Sequence, residues 1–219
     1  MKKELVLILG NTGSGKSTLA KSLKWVHGYD LIVPFTTRPP REGEVDNVDY
    51  VFVTQAFFDD FGGIFDGLSK YAGNSYGIRI NRDVQKQVVV CDATMYETIM
   101  KNIFIKEDFN ITTVWLNPDK DVLLYRCMLR GDDKAISESR IDENGLELEG
   151  LFGIYRPDLI FTTSMHIKDI ARTITYTVDD PMIKSLSKGF NGNNNVEIGK
   201  FTYDLTLSLL EKSKRKGDN

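Results

Sequence analysis

The chain opens with a continuous apolar run that gives way, after a short glycine-rich segment, to helical spacing. Residues 5–9 are all apolar, which is typical of a strand buried on both faces of a parallel sheet. Leu19, Leu23 and Val26 then recur at intervals of four and three residues, which predicts an amphipathic helix over about 15–27. The pattern therefore predicts a strand, a turn and a helix in direct succession.

Apolar runs continue to alternate with helical spacing along most of the chain. Further core strands are predicted at residues 31–33, 87–91, 111–116 and 158–161, short strands around a Gly-Asn turn at 64–77, and helices at 54–61, 94–106 and 119–129. Strands that alternate with helices indicate an α/β fold, with a mostly parallel sheet flanked by helices on both faces.

Composition narrows the class of protein. A chain of 219 residues is long enough for one domain with a sizeable core. Its net charge of −3 gives no electrostatic reason to expect nucleic acid or an anionic membrane as a partner, and no apolar run approaches a membrane span. Cys91 and Cys127 lie in apolar segments, which favours buried free thiols over a disulfide. We therefore expect a cytoplasmic protein.

The segment between the first strand and the first helix has the chemistry of a phosphate cradle. It reads Gly10, Asn11, Thr12, Gly13, Ser14, Gly15, Lys16, Ser17, Thr18. Glycines let backbone N–H groups turn toward an anion, and the helix start adds donors and the positive end of its dipole. Lys16 is placed to reach terminal phosphates and the Ser17 hydroxyl to ligate Mg²⁺. We interpret residues 10–18 as an ATP-binding loop and not as a surface turn.

A second basic segment follows. Pro39 and Pro40 stiffen a loop and separate Arg38 from Arg41, and Tyr50 offers a hydroxyl a few residues later. Guanidinium groups suit phosphate oxygens because they bind them bidentately and keep their charge. Next to a nucleotide loop, this segment predicts a second phosphate site.

These motifs resemble those of the guanylate kinases. In that family a phosphate loop is followed by T-T-R-x-P-R-x-G-E-x-x-G-x-D-Y-x-F, which residues 36–52 nearly reproduce, with Val48 in place of a glycine. Residues 73–77 are similar to the family's G-N-x-Y-G hairpin. The resemblance covers about residues 5–174 and implies a P-loop NTPase fold.

The resemblance also implies how the chain is organised. It predicts a single guanylate-kinase-like domain over residues 1–219, with a core (1–34, 87–130 and 151–175), a β-rich monophosphate-binding lobe (about 35–86), a helical lid (about 131–150) and a C-terminal extension (about 176–219). In that extension Phe201, Leu205 and Leu209 share a helical face. This face would pack onto the core or onto another copy, and the second arrangement would make a homodimer.

The family implies roles for residues at both phosphate sites. The acceptor phosphate would be held by Arg38, Arg41, Tyr50 and Tyr76. Arg126 and Arg130 lie four residues apart on one helix face and resemble arginines that reach ATP phosphates. Arg140 matches the lid arginine that bridges donor and acceptor.

Asp92 has two compatible interpretations. It follows a predicted strand beside the phosphate loop and matches an aspartate of the family, so it is a candidate to hold Mg²⁺ or its waters. It is also placed to cap the helix that follows.

The positions that would read a guanine differ from the family pattern. Pro34, Gly67, Ile78 and Thr94 stand where the family has polar readers, and Asp66 is the nearest acidic substitute. Leaving the polar edges of a buried base unpaired costs a few kcal/mol, so the identity of the base stays open.

The implied reaction is transfer of the γ-phosphate of ATP, with Mg²⁺, to a nucleoside monophosphate. GMP or dGMP is the acceptor in the family. The alternatives are another (deoxy)nucleotide or a ribose-phosphate-type acceptor, a non-catalytic guanylate-kinase-like binding module, and a generic P-loop ATPase. Arg41 with Tyr50 favours a nucleotide acceptor, and intact Lys16 and Ser17 favour catalysis over a binding role.

Overall fold

The computed structural model describes residues 2–162 and 165–180. Its strands are β1 (Lys3–Gly10), β2 (Asp30–Leu31), β3 (Phe35–Thr36), β4 (Val51–Phe52), β5 (Gly67–Tyr71), β6 (Asn74–Ile78), β7 (Lys86–Val90), β8 (Phe109–Leu116) and β9 (Leu159–Phe161). Its helices are α1 (Lys16–His27), α2 (Gln55–Phe61), α3 (Ala93–Lys101), α4 (Ile103–Asp108), α5 (Lys120–Leu129), α6 (Lys134–Phe152) and α7 (Ile167–Asp179), with a 3-10 turn at Gly62–Ile64.

The strands form two sheets, ordered β2-β7-β1-β8-β9 and β4-β3-β6-β5. In the first sheet β2 pairs in parallel with β7, and β8 with β9. Leu5–Leu9 of β1 are completely buried, as expected for a central strand. The predicted α/β class with a mostly parallel sheet is confirmed. The strand predicted at 31–33 is shorter and earlier, at Asp30–Leu31.

The described chain forms two compact units. Among the described residues, the first unit comprises 2–7 and 29–111, and the second comprises 8–28, 112–162 and 165–180, so β1 contributes to both. In the second unit α7 packs against α1, and α5 against α6. Helix α1 ends at Gly28, which has a left-handed backbone (φ 71°) and donates its N–H to the carbonyl of Leu23.

In the first unit β5 and β6 form an antiparallel hairpin in which Ser69 lies opposite Tyr76. The turn residues are Ala72 and Gly73, both with positive φ (47° and 77°). Two left-handed residues make the kind of tight turn whose twist suits a hairpin. The turn predicted at Gly-Asn is therefore one residue too late, since Asn74 is already the first residue of β6.

The helix predicted at 94–106 is two helices. Asn102 interrupts it, and its side-chain oxygen accepts hydrogen bonds from the N–H groups of Phe104 (3.1 Å) and Ile105 (3.3 Å). Asparagine competes well for backbone donors at a helix start, so it ends α3 and caps α4.

Three further predictions concern the cysteines, membrane-spanning helices and the C-terminal extension. Cys91 and Cys127 are both buried thiols, and neither forms a disulfide with another described residue, as predicted. Within the part of the chain that the structure describes, no helix combines the length and the apolar character needed to cross a membrane. The predicted helical face of Phe201, Leu205 and Leu209 lies outside the described residues.

Candidate active site

The shape of the phosphate loop, residues 10–18, depends on glycines at positions where the neighbouring backbone leaves no room for a side chain. A Cβ on Gly10 would collide with the carbonyl oxygen of Leu116, and one on Gly13 would lie 2.8 Å from that of Leu123. Gly13 and Gly15 also have left-handed backbones (φ 75° and 97°). The conformation of this loop, which joins β1 to α1, is therefore set by its glycine backbone.

The polar groups of the loop are arranged around that backbone. Lys16 Nζ donates to the carbonyl oxygens of Gly10 and Asn11, both at 2.8 Å. The side-chain oxygens of Asn11 and Ser14 are buried and have no hydrogen-bond partner among the described residues. Unsatisfied buried polar atoms are uncommon in native proteins, and a bound water or ion is one way in which they gain a partner.

Arg126 of α5 and Arg130, the residue directly after that helix, reach the phosphate loop. Arg126 donates to the carbonyls of Gly13 (3.3 Å) and Ser14 (3.4 Å). Arg130 donates to the hydroxyl of Thr12 at 3.3 Å and to Asp132 at 2.5 Å. The structure thus brings together the loop and both arginines of the predicted pair.

A cavity of about 490 Å³ opens over the loop. Its polar lining comes from Thr12–Thr18, Arg126 and Arg130. The rest of its lining is apolar and comes from the end of β8, the start of α5 and the segment from β9 into α7. Arg140 is exposed on α6 and is not among the residues that line this cavity.

The first unit carries the residues predicted to hold the acceptor phosphate: Arg38, Arg41, Tyr50 and Tyr76. We call Arg38 and the side chains around it the arginine cluster: Arg38, Glu44, Tyr50, Phe52 and Tyr76. Both carboxylate oxygens of Glu44 accept from the same guanidinium nitrogen of Arg38, at 2.8 and 2.9 Å. The guanidinium lies over the rings of Tyr50 (5.2 Å) and Phe52 (5.9 Å). An ion pair and two aromatic faces therefore fix Arg38 in position.

Charge and burial shift several pKa values in the arginine cluster. Burial disfavours the charged form of Glu44, but the hydrogen bonds from Arg38 and from the N–H of Arg41 outweigh it and hold its pKa below the usual value. For Arg38 burial is the largest single influence and lowers the pKa, but the hydrogen bond and the charge of Glu44, with the two tyrosines, together raise it above the usual value. Burial, and then the proximity of Tyr76, raise the pKa of Tyr50, which stays a neutral hydroxyl donor at neutral pH.

The remaining two residues of the predicted acceptor set differ in their surroundings. Tyr76 lies opposite Thr36 of β3, with its ring 6.3 Å from that of Tyr50. Arg41 is exposed, and its backbone N–H donates to Glu44 at 2.8 Å. The loop thus positions Arg41 through its main chain and leaves the side chain at the surface.

Asp92 caps α3, as one interpretation of the sequence predicted. Its carboxylate accepts from the N–H of Met95 at 2.8 Å and from the hydroxyl of Ser69 at 2.6 Å. Asp92 is exposed and Ser69 is buried. The hydrogen bonds orient the carboxylate and leave it lone pairs for a further partner.

The carboxylate of Asp66 accepts hydrogen bonds from neighbouring residues. It accepts two hydrogen bonds from Arg82 (2.6 and 2.9 Å) and one from the N–H of Ile80 (2.7 Å). At the neighbouring Gly67, a Cβ would lie 3.0 Å from side-chain atoms of both Met95 and Ile99. Strand β5 therefore packs closely on α3 at the position where the family carries an acidic base reader.

Sequence reasoning missed the partners of these charged groups. Glu44, Ser69 and Arg82 hold Arg38, Asp92 and Asp66 respectively. Glu44 stands three residues after Arg41 in the recognised motif, which was a usable signal. Ser69 and Arg82 reach partners 23 and 16 residues away, and no local pattern indicates such contacts.

The chain is similar to known guanylate kinases over most of its length. Residues 2–134 match the family model described as guanylate kinase. A guanylate kinase of Helicobacter hepaticus is 30% identical over 200 residues, which cover 86% of this chain and all of that protein. A guanylate kinase of Sus scrofa is 31% identical over 162 residues, 68% of this chain and 81% of that protein.

Likeness extends to a solved structure. The crystal structure of guanylate kinase from Anaplasma phagocytophilum superposes with a TM-score of 0.58 at 20% identity, covering 81% of this chain and 85% of that chain. At this identity the likeness concerns the fold, and it agrees with the P-loop NTPase architecture predicted from the sequence.

Proposed function

The chain belongs to the guanylate kinase family of nucleoside monophosphate kinases, and we propose that it transfers the γ-phosphate of ATP to a nucleoside monophosphate. The products are ADP and a nucleoside diphosphate, and GMP or dGMP is the acceptor that the family implies. One observation supports the proposal: the chain carries two sets of basic and hydroxyl groups, one at the phosphate loop and one in the arginine cluster. A simple ATPase needs the first set alone.

The proposed chemistry depends on alignment and charge. The acceptor phosphate is already a nucleophile, so no strong general base is required. Lys16, Arg126 and Arg130 would donate to the phosphate oxygens of ATP, replacing loop groups to which they now donate. Preorganised cations placed this way stabilise the charge that spreads over the transferred group.

The acceptor phosphate is proposed to bind at the arginine cluster. Arg38 is held by Glu44 before any ligand arrives, so little side-chain entropy is lost on binding. Tyr50 and Tyr76 would donate their hydroxyls, and the exposed Arg41 would close over the phosphate. Arg140 is proposed to reach the phosphates from the lid, within the division into core, lobe, lid and extension predicted above.

We propose Mg²⁺ as the companion of ATP. The Ser17 hydroxyl and the Asp92 carboxylate are each a hard oxygen donor of the kind this ion prefers, so the chemistry of each residue fits it. When bound, the ion neutralises phosphate charge. Ser69 would keep the Asp92 carboxylate oriented for that role.

The base of the acceptor is the finer part of the proposal. Three hydrogen bonds from Arg82 and Ile80 already occupy Asp66, which supports an acceptor whose base is not read by that carboxylate. This observation favours keeping other (deoxy)nucleotides as candidates beside GMP and dGMP.

The test is a coupled ADP-release assay with ATP·Mg²⁺ and a panel of ribo- and deoxynucleoside monophosphates. We expect ADP release that depends on one acceptor or a small group of them. ADP release at the same rate without acceptor would indicate an ATPase, and binding of nucleotide without turnover would indicate a binding module.

Arg41→Ala is expected to raise the KM for the acceptor with little change in the KM for ATP. An unchanged KM for the acceptor would show that Arg41 does not belong to the acceptor site.

A further inference from the structure

We propose that Asp132 is a positioning residue for the site of ATP. Its carboxylate holds the guanidinium of Arg130 beside the phosphate loop, in an orientation that leaves part of that group to bind the phosphates of a nucleotide. The inference rests on the proposed function and adds a residue to which no sequence motif assigns a role. Asp132 acts through Arg130, because it is not among the described residues that line the cavity.

The end of helix α5 places Asp132 beside Arg130. Arg130 is the C-cap residue, and Gly131 after it has a left-handed backbone (φ 84°). The N–H of Gly131 donates to the carbonyl of Met128 at 2.9 Å, and the N–H of Asp132 donates to that of Cys127 at 3.1 Å. These two bonds form a Schellman motif, which turns the chain back over the helix end. Main-chain bonds therefore direct residue 132, whatever its side chain.

A charged side chain stands at a position of this motif where an apolar contact with the helix is frequent. One carboxylate oxygen of Asp132 accepts from Nη2 of Arg130 at 2.5 Å. The two side chains are 40% and 54% exposed, respectively. Ion pairs as exposed as this contribute little to stability. The pair therefore matters more for the orientation of Arg130 than for the stability of the fold.

The hydrogen bonds of the Arg130 guanidinium all come from a single nitrogen. Nη2 donates to Asp132, to the hydroxyl of Thr12 at 3.3 Å and to the sulfur of Cys127 at 3.4 Å. Nε and Nη1 donate to none of the described residues. A guanidinium has five N–H donors, of which Nε and Nη1 carry three. Since Arg130 lines the cavity, these three are the donors left for phosphate oxygens.

The carboxylate has two opposite effects on a bound triphosphate. By holding Arg130 it lowers the side-chain entropy that is lost on binding, and it keeps the cation in the place where charge develops during transfer. By its own negative charge it repels the phosphates. Only the first effect depends on Arg130, so an experiment that removes Arg130 separates the two.

The first test is a double-mutant cycle on the binding of the non-hydrolysable analogue AMPPNP, measured by calorimetry with Mg²⁺ and without acceptor. It compares wild type, Asp132→Asn, Arg130→Ala and the double variant. In the Arg130→Ala background Asp132→Asn removes repulsion alone and should tighten binding. In wild type it also releases Arg130, so the change in affinity should be less favourable by about threefold or more. A smaller difference between the two backgrounds would overturn the inference, because repulsion alone would then describe Asp132.

The second test measures transfer. Asp132→Asn is expected to lower kcat by about tenfold, the equivalent of one charge-assisted hydrogen bond. Arg130→Ala should lower kcat by about 10²–10³, and adding Asp132→Asn to it should cause no further loss. Asp132→Glu keeps the charge and should restore most of kcat. A loss from Asp132→Asn that persists without Arg130 would contradict a positioning role.

Asp133→Asn is the matched control. It removes the same charge one residue away, and asparagine still accepts the bond by which Asp133 caps α6, from the N–H of Ile136 (2.9 Å). Its effect on AMPPNP affinity should be the same with and without Arg130. The melting temperature of Asp132→Asn should stay near that of wild type, since the bonds of the helix end come from the main chain. A fall in melting temperature that matches the fall in kcat would show a structural role instead.

The two tests fail in different ways for this inference and for the proposed function. Coupling between Asp132 and Arg130 in AMPPNP binding, with no transfer to any monophosphate, would refute the proposed function and support the inference. Transfer without such coupling would support the proposed function and refute the inference. Absence of AMPPNP binding to wild type would refute both.

Discussion

The phosphate loop and the arginine cluster are both proposed to bind phosphate, but they hold their shape by different means. In the loop, glycines at φ 75° and 97° leave space that a Cβ at Gly13 would fill, and the donors are arranged on backbone. In the arginine cluster, Arg38 is fixed by the carboxylate of Glu44 and by two aromatic faces, on segments brought together by the small sheet.

Because of this difference, the two sites should be sensitive to different substitutions and to pH in different degrees. A site built by backbone shape should be damaged by any added side-chain atom and should be insensitive to pH. A site built by a carboxylate–guanidinium pair should tolerate small changes in shape and should respond to the loss of one charge. Each prediction below tests one side of this contrast, from the largest expected effect to the smallest.

Gly13→Ala should have the largest effect. Its Cβ would lie 2.8 Å from the Leu123 carbonyl oxygen, at φ 75°. Strain and overpacking together are expected to lower the free energy of unfolding by about 2–5 kcal/mol and to abolish binding of ATP. Urea unfolding and calorimetry with AMPPNP measure the two effects.

Gly73→Ala is the matched control for that variant. Gly73 has nearly the same backbone, φ 77°, but nothing lies within 4 Å of its Cβ position. We expect a loss of about 1–2 kcal/mol from the left-handed conformation alone. Equal losses for the two variants would show that backbone strain, and not the closeness of Leu123, makes Gly13 necessary.

Lys16→Ala should remove charge from the donor site and leave its backbone in place. Loss of a preorganised donor to a transferring phosphoryl group is expected to lower kcat by about 10²–10³, with little change in melting temperature. Lys24→Ala on the same helix is the control, since Lys24 does not line the cavity. A fall in melting temperature matching the fall in activity would indicate a structural role.

Glu44→Gln tests the arginine cluster. Loss of the charged partner of Arg38 is expected to raise acceptor KM about tenfold, the equivalent of one charge-assisted hydrogen bond, and to leave ATP KM unchanged. Glu42→Gln, two residues away and exposed, controls for the change in net charge. An equal rise in ATP KM would contradict the separation of the two sites.

The contrast between the two sites also explains what the sequence could predict. The phosphate loop is contiguous, and the strand, turn and helix around it follow from local pattern, so each was placed within one or two residues. Asn102 escaped detection because a capping asparagine inside an apolar helical pattern leaves the periodicity intact.

Longer-range partners escaped for a different reason. That Ser69 donates to Asp92, and Arg82 to Asp66, depends on the register of β5 with β6 and on the packing of α3 against β5. A register shift by one residue would turn each side chain to the opposite face of the sheet. Motif residues such as Arg38 and Tyr76 could therefore be predicted, while the groups that orient side chains within a site could not.

The smallest predicted effect concerns acid. The pKa of Glu44 is depressed in the folded protein, so its stabilising contribution is complete above its unfolded value, about 4.3, and is lost as pH falls through the folded value. The difference in unfolding free energy between wild type and Glu44→Gln should therefore be constant above about pH 5 and narrow below about pH 4. Urea titrations from pH 6 to pH 3 measure this difference in unfolding free energy, from which the contributions of the other carboxylates cancel.

Gly13→Ala is the control. The difference in unfolding free energy between wild type and Gly13→Ala should stay constant over the same pH range, because residues 10–18 contain no carboxylate. A difference for Glu44→Gln that is equally constant would mean that aromatic contacts, and not the ion pair, hold Arg38 in place.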